Sequence, residues 1–315
     1  MDAPMTNIAL RQHALAQNQR LEEIWFDRRD SARIKSAIVD AYAEFEYSLK
    51  SGSRFDAPAL AILGKSGSGK TASVIRALIG LGLFETVTGD PHRPFLECAL
   101  SGKASLRDLA QAVLQAYGWT GSTGSAKTLW SKACDYMAEL ETRVLILDEI
   151  QHVRAAGPQD RKDLQAYLKS IVQPGGHRFM PILVGMPEFE EVLNSDTQLD
   201  RRYIKIKMRS LDPSVDLAVG MQILETYCHT VDVTMHDSVM TEEFASRLMH
   251  AGMYSFGIVS LWCRRGLFRA ISSGSNELQI QHFQDAYVAR EDCVPALNPF
   301  IAVNFHSIKE DQLTD

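Results

Sequence analysis

The sequence lacks any window of 18 uninterrupted apolar residues, so no transmembrane helix is expected. It also lacks an apolar stretch of signal-peptide length between Met1 and Arg20, where the chain is polar. Together these absences predict a cytoplasmic protein without a membrane role. Paired cysteines are missing too. Cys98, Cys134, Cys228, Cys263 and Cys293 stand alone, odd in number and without C-x-x-C spacing. That pattern speaks against disulfides or a zinc site and for reduced, mostly buried thiols. No second histidine or cysteine stands at metal-ligand spacing from His152, which is read as structural. Basic charge is not in excess: the formal net charge of −6 argues against a broadly basic nucleic-acid binder. It leaves room for a local patch, above all in an oligomer that repeats it. No recognisable DNA-reading motif and no internal repeat occur, so target selection by base readout finds no support.

What is present is ordinary in bulk and specific in one place. Apolar content of 45% and charged content of 23% suit a soluble globular chain, and 315 residues suit a core plus a smaller lid. Gly64-Lys65-Ser66-Gly67-Ser68-Gly69-Lys70-Thr71 satisfies G-x-x-x-x-G-K-[ST] in full. The apolar run Ala59–Leu63 reads as a buried strand leading in, and Thr71–Leu78 as the opening of a helix leading out. The glycines let consecutive backbone N–H groups turn onto a β-phosphate, where the helix N-terminus adds partial positive charge. Lys70 is expected to reach the β- and γ-phosphates of ATP, and the Thr71 hydroxyl to ligate Mg²⁺.

The rest of the pattern alternates strands with helices and then turns wholly helical. Residues from about Asn7 to Lys50 read as helical, with a break at Ser51-Gly52-Ser53. Strands are expected over Pro94–Leu100, Arg143–Glu149, Met180–Gly185 and, as an alternating edge strand, Tyr203–Met208. Helices are expected near 105–117, 126–140 and 160–172, and only helices beyond Asp212. The fold class is therefore α/β, a parallel sheet flanked by helices followed by a small all-α lid. The expected division is an N-terminal helical segment (1–54), the P-loop core (55–210), the lid (211–290) and an extended C-terminal tail (291–315).

Asp148-Glu149 supplies the second half of a nucleotide site. Four apolar residues end in two adjacent carboxylates at the C-terminal edge of the sheet, where ligands bind in open α/β folds. Asp148 is expected to hold Mg²⁺ as the Walker-B acid, and Glu149 to polarise an attacking water, so the reaction is hydrolysis.

Strand–P-loop–helix followed by Leu145-Ile146-Leu147-Asp148-Glu149 resembles the AAA+ ATPases. Three further strings are similar to one branch of them, the transposition-regulator ATPases of the TniB/TnsC type, with the ExeA-like and MuB ATPases as neighbours. These are Asp148-Glu149-Ile150-Gln151-His152, Leu183-Val184-Gly185-Met186-Pro187-Glu188-Phe189 and Gln198-Leu199-Asp200-Arg201-Arg202-Tyr203, joined by Asn298-Pro299-Phe300. The resemblance runs from about Ala57 to Phe300. It implies a homo-oligomer, ring or helical filament, in which Arg202, or else Arg201, completes the neighbouring subunit's ATP site. It also implies backbone contacts to double-stranded DNA from Lys103, Thr123 and Lys127, and recruitment or activation of a DDE-type transposase, with a separate target-selector protein as a further partner. Other AAA+ roles share these motifs: a helicase loader, an ExeA-like secretion ATPase, or a scaffold that hardly hydrolyses ATP.

Two departures from the AAA+ pattern bear on rate. Gly185-Met186-Pro187 stands where a polar sensor is expected, and Ser260 stands where a Gly-x-x-Arg turn would place arginine after Gly257. Arg264 and Arg265 lie about one turn further on. A slow ATP switch, stimulated by DNA or partners and dissolving after hydrolysis, is therefore expected. The segment around Asn298-Pro299-Phe300 is read either as a docking element for a partner such as the transposase or as packing on its own lid.

Overall fold

The computed structural model describes residues 7–52, 58–83, 92–100, 104–153, 158–172 and 178–309. The chain runs α1 (Asn7–Glu22), α2 (Arg29–Ser51), β1 (Ala59–Leu63), α3 (Lys70–Gly80), β2 (Phe95–Ala99), α4 (Leu106–Ala116), α5 (Ala126–Glu139) and β3 (Val144–Asp148). Next come α6 (Pro158–Val172), β4 (Met180–Gly185), α7 (Phe189–Asn194), α8 (Thr197–Arg202) and β5 (Tyr203–Lys207). The remainder holds α9 (Leu217–Thr230), β6 (Thr234–Met235), α10 (Glu242–Ala251), α11 (Phe256–Ser272), β7 (Glu277–Leu278) and α12 (Ile280–Glu291). Contacts divide these elements into two compact units, Arg28–Arg209 and the pair Met1–Asp27 with Ser210–Asp315. Among the described residues, no helix is long and apolar enough to cross a membrane.

The first unit is a parallel five-stranded sheet in the order β2-β3-β4-β1-β5, covered by helices on both faces. Burial on both faces explains why β1, β3 and β4 read as unbroken apolar runs while the edge strand β5 alternates. Ala59, Ala61, Leu63, Leu145, Leu147 and Leu183 face α4, α5 and α6. Leu60, Ile62, Ile146, Ile182 and Val184 face the opposite way, onto Ile34, Ile38 and Phe45 of α2 and Val74 and Leu78 of α3. Register puts Leu63 beside Gly185, and Leu147 beside Leu183. The ends of β1, β4 and β3 thus sit in a row, which places the phosphate loop, Gly185 and Asp148 on one edge.

The second unit is built from α9–α12 with α1, the latter packed on α11. The stretch expected as one helical N-terminal segment is divided between the units. Residues 24–28 are non-helical, and Phe26 packs edge-to-face on Tyr227 at 5.5 Å and on Phe256 at 5.9 Å. Two expectations for the C-terminal part are corrected. The region is not wholly helical, since β6 and β7 pair in parallel through Thr234–Glu277 and Met235–Leu278. Nor is 291–309 an extended tail. Phe300 is buried among Phe244, Trp262, Phe283 and Tyr287, and Phe305 and Ile308 are buried in the same core, Phe305 against His250 and Arg247.

Polar contacts lock that C-terminal segment down. Arg247 donates to the carbonyls of Pro299 at 2.6 Å and Ala302 at 2.8 Å, and Asn298, fully buried, donates to Gln284 O at 3.1 Å. Phe300 is therefore spent inside its own unit rather than offered to a partner. Phe300→Ala should cost about 3–5 kcal/mol of unfolding free energy, read from denaturation followed by circular dichroism. A loss below about 1 kcal/mol would show that the segment is no part of this core.

Candidate nucleotide site

The phosphate loop takes its shape from glycine where the backbone demands it. Gly67 and Gly69 have φ of 69° and 87°, the left-handed region, and Gly69 caps α3. Gly64 is closely packed instead: a Cβ there would lie 2.9 Å from Ser68 Oγ and 3.0 Å from Met208 Cβ. Lys65, Ser66 and Gly67 are exposed at the tip, whereas Ser68 and Lys70 are buried beneath. The Lys70 ammonium donates to Gly64 O at 2.8 Å and Lys65 O at 3.0 Å, spanning the loop from inside. Burial pushes its pKa down, while the charges of Glu149 and Asp148 act in the opposite direction.

Thr71 and Asp148 meet although 77 residues separate them. The Thr71 hydroxyl donates to Asp148 Oδ2 at 2.6 Å, and Asp148 Oδ1 accepts from the Glu149 N–H at 2.7 Å. Both oxygens of this buried carboxylate are thus engaged. Glu149 differs in kind. Its backbone is left-handed, φ 54° and ψ 38°, as β3 breaks into the 3₁₀ turn Ile150–His152. Its side chain is 41% exposed, accepts from Gln151 Nε2 through Oε2, and lies 3.9 Å from His152 Nε2.

The residues present fit a nucleotide and a hard cation. Ser68 Oγ is buried without a hydrogen-bond partner, in a loop whose backbone turns on two left-handed glycines. Thr71 and Asp148 supply two oxygen donors at one point, a set that suits Mg²⁺ bound through few protein ligands and substrate phosphates. Among the described residues, no cluster of three or more His, Cys, Asp or Glu could hold a metal alone.

The other sequence-derived candidates stand on other elements. Arg201 and Arg202 end α8, the former exposed and the latter half-buried. That helix is fixed at both ends: its cap Asp196 pairs with Lys169 at 2.6 Å, and Asp200 pairs with Lys205. Thr123 and Lys127 are exposed beside the start of α5, and Lys103 lies outside the described residues. Two residues escaped sequence reasoning. Arg28 donates to Ser68 O at 2.8 Å, and Arg107 holds the 122–124 loop by donating to Gly124 O at 3.0 Å and to Ser122 O. Neither stands in a motif.

Comparison with known proteins adds two findings. The family described as "Bacterial TniB protein" matches residues 28–212. The structure is similar to Cdc6p from Pyrobaculum aerophilum, with TM-score 0.59 and 10% identity over 86% of this chain and 70% of that one. It is similar also to the Aeropyrum pernix ORC1 protein in complex with DNA, with TM-score 0.59 and 14% identity over 89% and 69% of the two chains. The Aeropyrum pernix ORC2 protein, in ADPNP–ADP complexes, gives TM-score 0.52 and 14% identity over 88% and 74%. At such identities the likeness establishes the fold alone: a parallel five-stranded sheet flanked by helices, with a helical C-terminal region. No curated protein matches the sequence.

Proposed function

The chain belongs to the bacterial TniB protein family, and from that premise we propose that it is an ATP-hydrolysing, DNA-binding regulator of transposition that assembles on target DNA and recruits or activates a DDE-type transposase. The observation that carries the ATPase reading is the convergence of Lys70, Thr71, Asp148 and Glu149 at one sheet edge. The loop N–H groups and Lys70 bind and orient the phosphates of ATP. Mg²⁺, held by Thr71 and Asp148, supplies charge neutralisation on those phosphates when bound. Glu149 takes the proton of the attacking water as its oxygen bonds to the γ-phosphorus and the bond to the leaving ADP oxygen breaks.

Oligomerisation enters through α8. In an assembly one of its two arginines completes the neighbour's site, and the exposure of Arg201 now favours it over Arg202. DNA is held by its backbone at the face carrying Thr123 and Lys127, with Arg107 fixing the loop. One or two cations per subunit give useful affinity only when repeated, which ties DNA binding to assembly. The DNA and nucleotide complexes of the ORC structures support both ligands as ones this fold accepts.

Sedimentation with duplex DNA, ATP and Mg²⁺ at low salt tests the proposal. The protein should pellet only when both DNA and ATP are present, and pelleting should fall steeply as salt rises. Protein that stays in the supernatant under those conditions would remove the DNA-assembly role.

A further inference from the structure

Gln151 has no part in the roles above, yet its side chain spans the site. It lies in the 3₁₀ turn that leaves β3. Its Oε1 accepts from the Met186 N–H at 3.1 Å, just past β4, and its Nε2 donates to Glu149 Oε2. The orientation of the amide follows from chemistry. A backbone N–H can only donate, so the carbonyl oxygen must face Met186 and the NH₂ must face the carboxylate.

Gly185 makes room for this bridge. A Cβ there would lie 2.9 Å from Gln151 Oε1 and 2.8 Å from Ile150 Cγ2. Gly185 is not among the residues with positive φ, so the requirement at this position is space rather than backbone torsion. A small residue at the end of β4 and a long amide after β3 therefore form one device. Its other end is Glu149, whose left-handed backbone is one that non-glycine residues seldom hold without support. A half-exposed glutamate left alone would sample several rotamers; the bridge fixes one of its oxygens.

We propose that Gln151 is a positioning residue for hydrolysis. It fixes the carboxylate of Glu149 for the attacking water and ties it to the Met186 segment that leads through α7 to Arg201 and Arg202. This rests on the reading of Glu149 as the group that takes the water proton. The Met186 contact makes the end of β4 part of the same hydrogen-bonded chain, so a shift there is passed directly to Glu149.

The test uses the full-length protein with ATP, Mg²⁺ and duplex DNA. Gln151→Ala should lower the single-turnover hydrolysis rate about 10- to 100-fold, with the Kd for ATP within about threefold of wild type. Gly185→Ala, which keeps Gln151 but crowds its amide, should lower the rate in the same sense by about 3- to 10-fold. In a Glu149→Ala background Gln151→Ala should have less than about a twofold further effect, because the group it positions is gone. A further loss of the same size in that background overturns the proposal, since a general structural defect would persist there. So do rates within about twofold of wild type for both Gln151→Ala and Gly185→Ala, and so does loss of ATP binding in Gln151→Ala. Wild-type protein that binds ATP without hydrolysing it would overturn the Glu149 reading first and this inference with it. Active wild type with an indifferent Gln151→Ala overturns this inference alone.

Discussion

Replacing Lys70 with alanine should weaken ATP binding by about 100-fold while leaving the nucleotide-free protein folded. The two halves of that expectation have different physics. Without nucleotide the ammonium donates to Gly64 O and Lys65 O, and charged donors are worth about 1.5–3 kcal/mol each. Against this stands the cost of burying the charge, which is several kcal/mol for an ion and is visible here as a lowered pKa. The two nearly offset, so stability without nucleotide should change by no more than about 1–2 kcal/mol. With ATP present the balance is expected to differ, because in the proposed role the ammonium faces phosphate oxygens in charge-assisted bonds. Losing them is worth about 2.7 kcal/mol for a 100-fold change.

Thermal denaturation separates the two effects. At ATP equal to about 100 times the wild-type Kd, binding stabilises wild type by about 2.7 kcal/mol and the variant by about 0.4 kcal/mol. For a chain of this size that contrast is a Tm rise of about 4 °C against about 0.6 °C. Equal ATP-induced shifts in the two proteins would show that Lys70 does not meet the phosphates.

The site's two anchors were legible in sequence because each is local. The loop needs glycines at fixed spacing for its left-handed turns, and Asp148 ends a strand buried on both faces, so pattern and chemistry coincide in a few residues. What lay outside sequence reasoning depends on pairs far apart in the chain. Gln151 stands in a string that marked only a family resemblance; its role depends on the absence of a side chain at Gly185. The apparent lack of a polar group after β4 is thus answered from β3. Arg28 touches the loop from 40 residues upstream with no motif to announce it. Helices α7 and α8, six residues each, are too short to show a period. The N-terminal helical pattern ran on through Ile24-Trp25-Phe26 because those residues are apolar, but Ile24 and Phe26 are used to pack on the helical unit rather than to extend a helix. Beyond Pro295 the missing period reflected a segment fixed by Arg247 and Asn298, side-chain anchors that leave no periodic trace.

Replacing Glu149 with glutamine should slow hydrolysis by about 10²- to 10⁴-fold, the usual worth of a positioned general base, with ATP affinity within about threefold. The geometry favours Glu149 over its neighbour for this proposed role. Asp148 is 8% exposed and both its oxygens are occupied, one by the Thr71 hydroxyl and one by the Glu149 N–H. Its burial beside the Thr71 hydroxyl suits it to a cation rather than to a water arriving from solvent. Glu149 is the carboxylate with access to solvent, and one of its oxygens is fixed by Gln151. Glutamine is nearly isosteric and suits the left-handed backbone no worse, so the loop, Lys70 and Thr71 keep their places and binding persists. The consequence for assembly follows from the order of events. If ATP holds subunits together on DNA and hydrolysis releases them, the variant should form complexes with ATP that outlast those of wild type by a factor near its loss in rate. Pelleting followed over time after a chase with excess unlabelled DNA measures that lifetime. Wild-type turnover in Glu149→Gln would move the base to another group. Slow turnover with wild-type lifetimes would instead separate disassembly from hydrolysis, leaving nucleotide exchange as the step that empties the DNA.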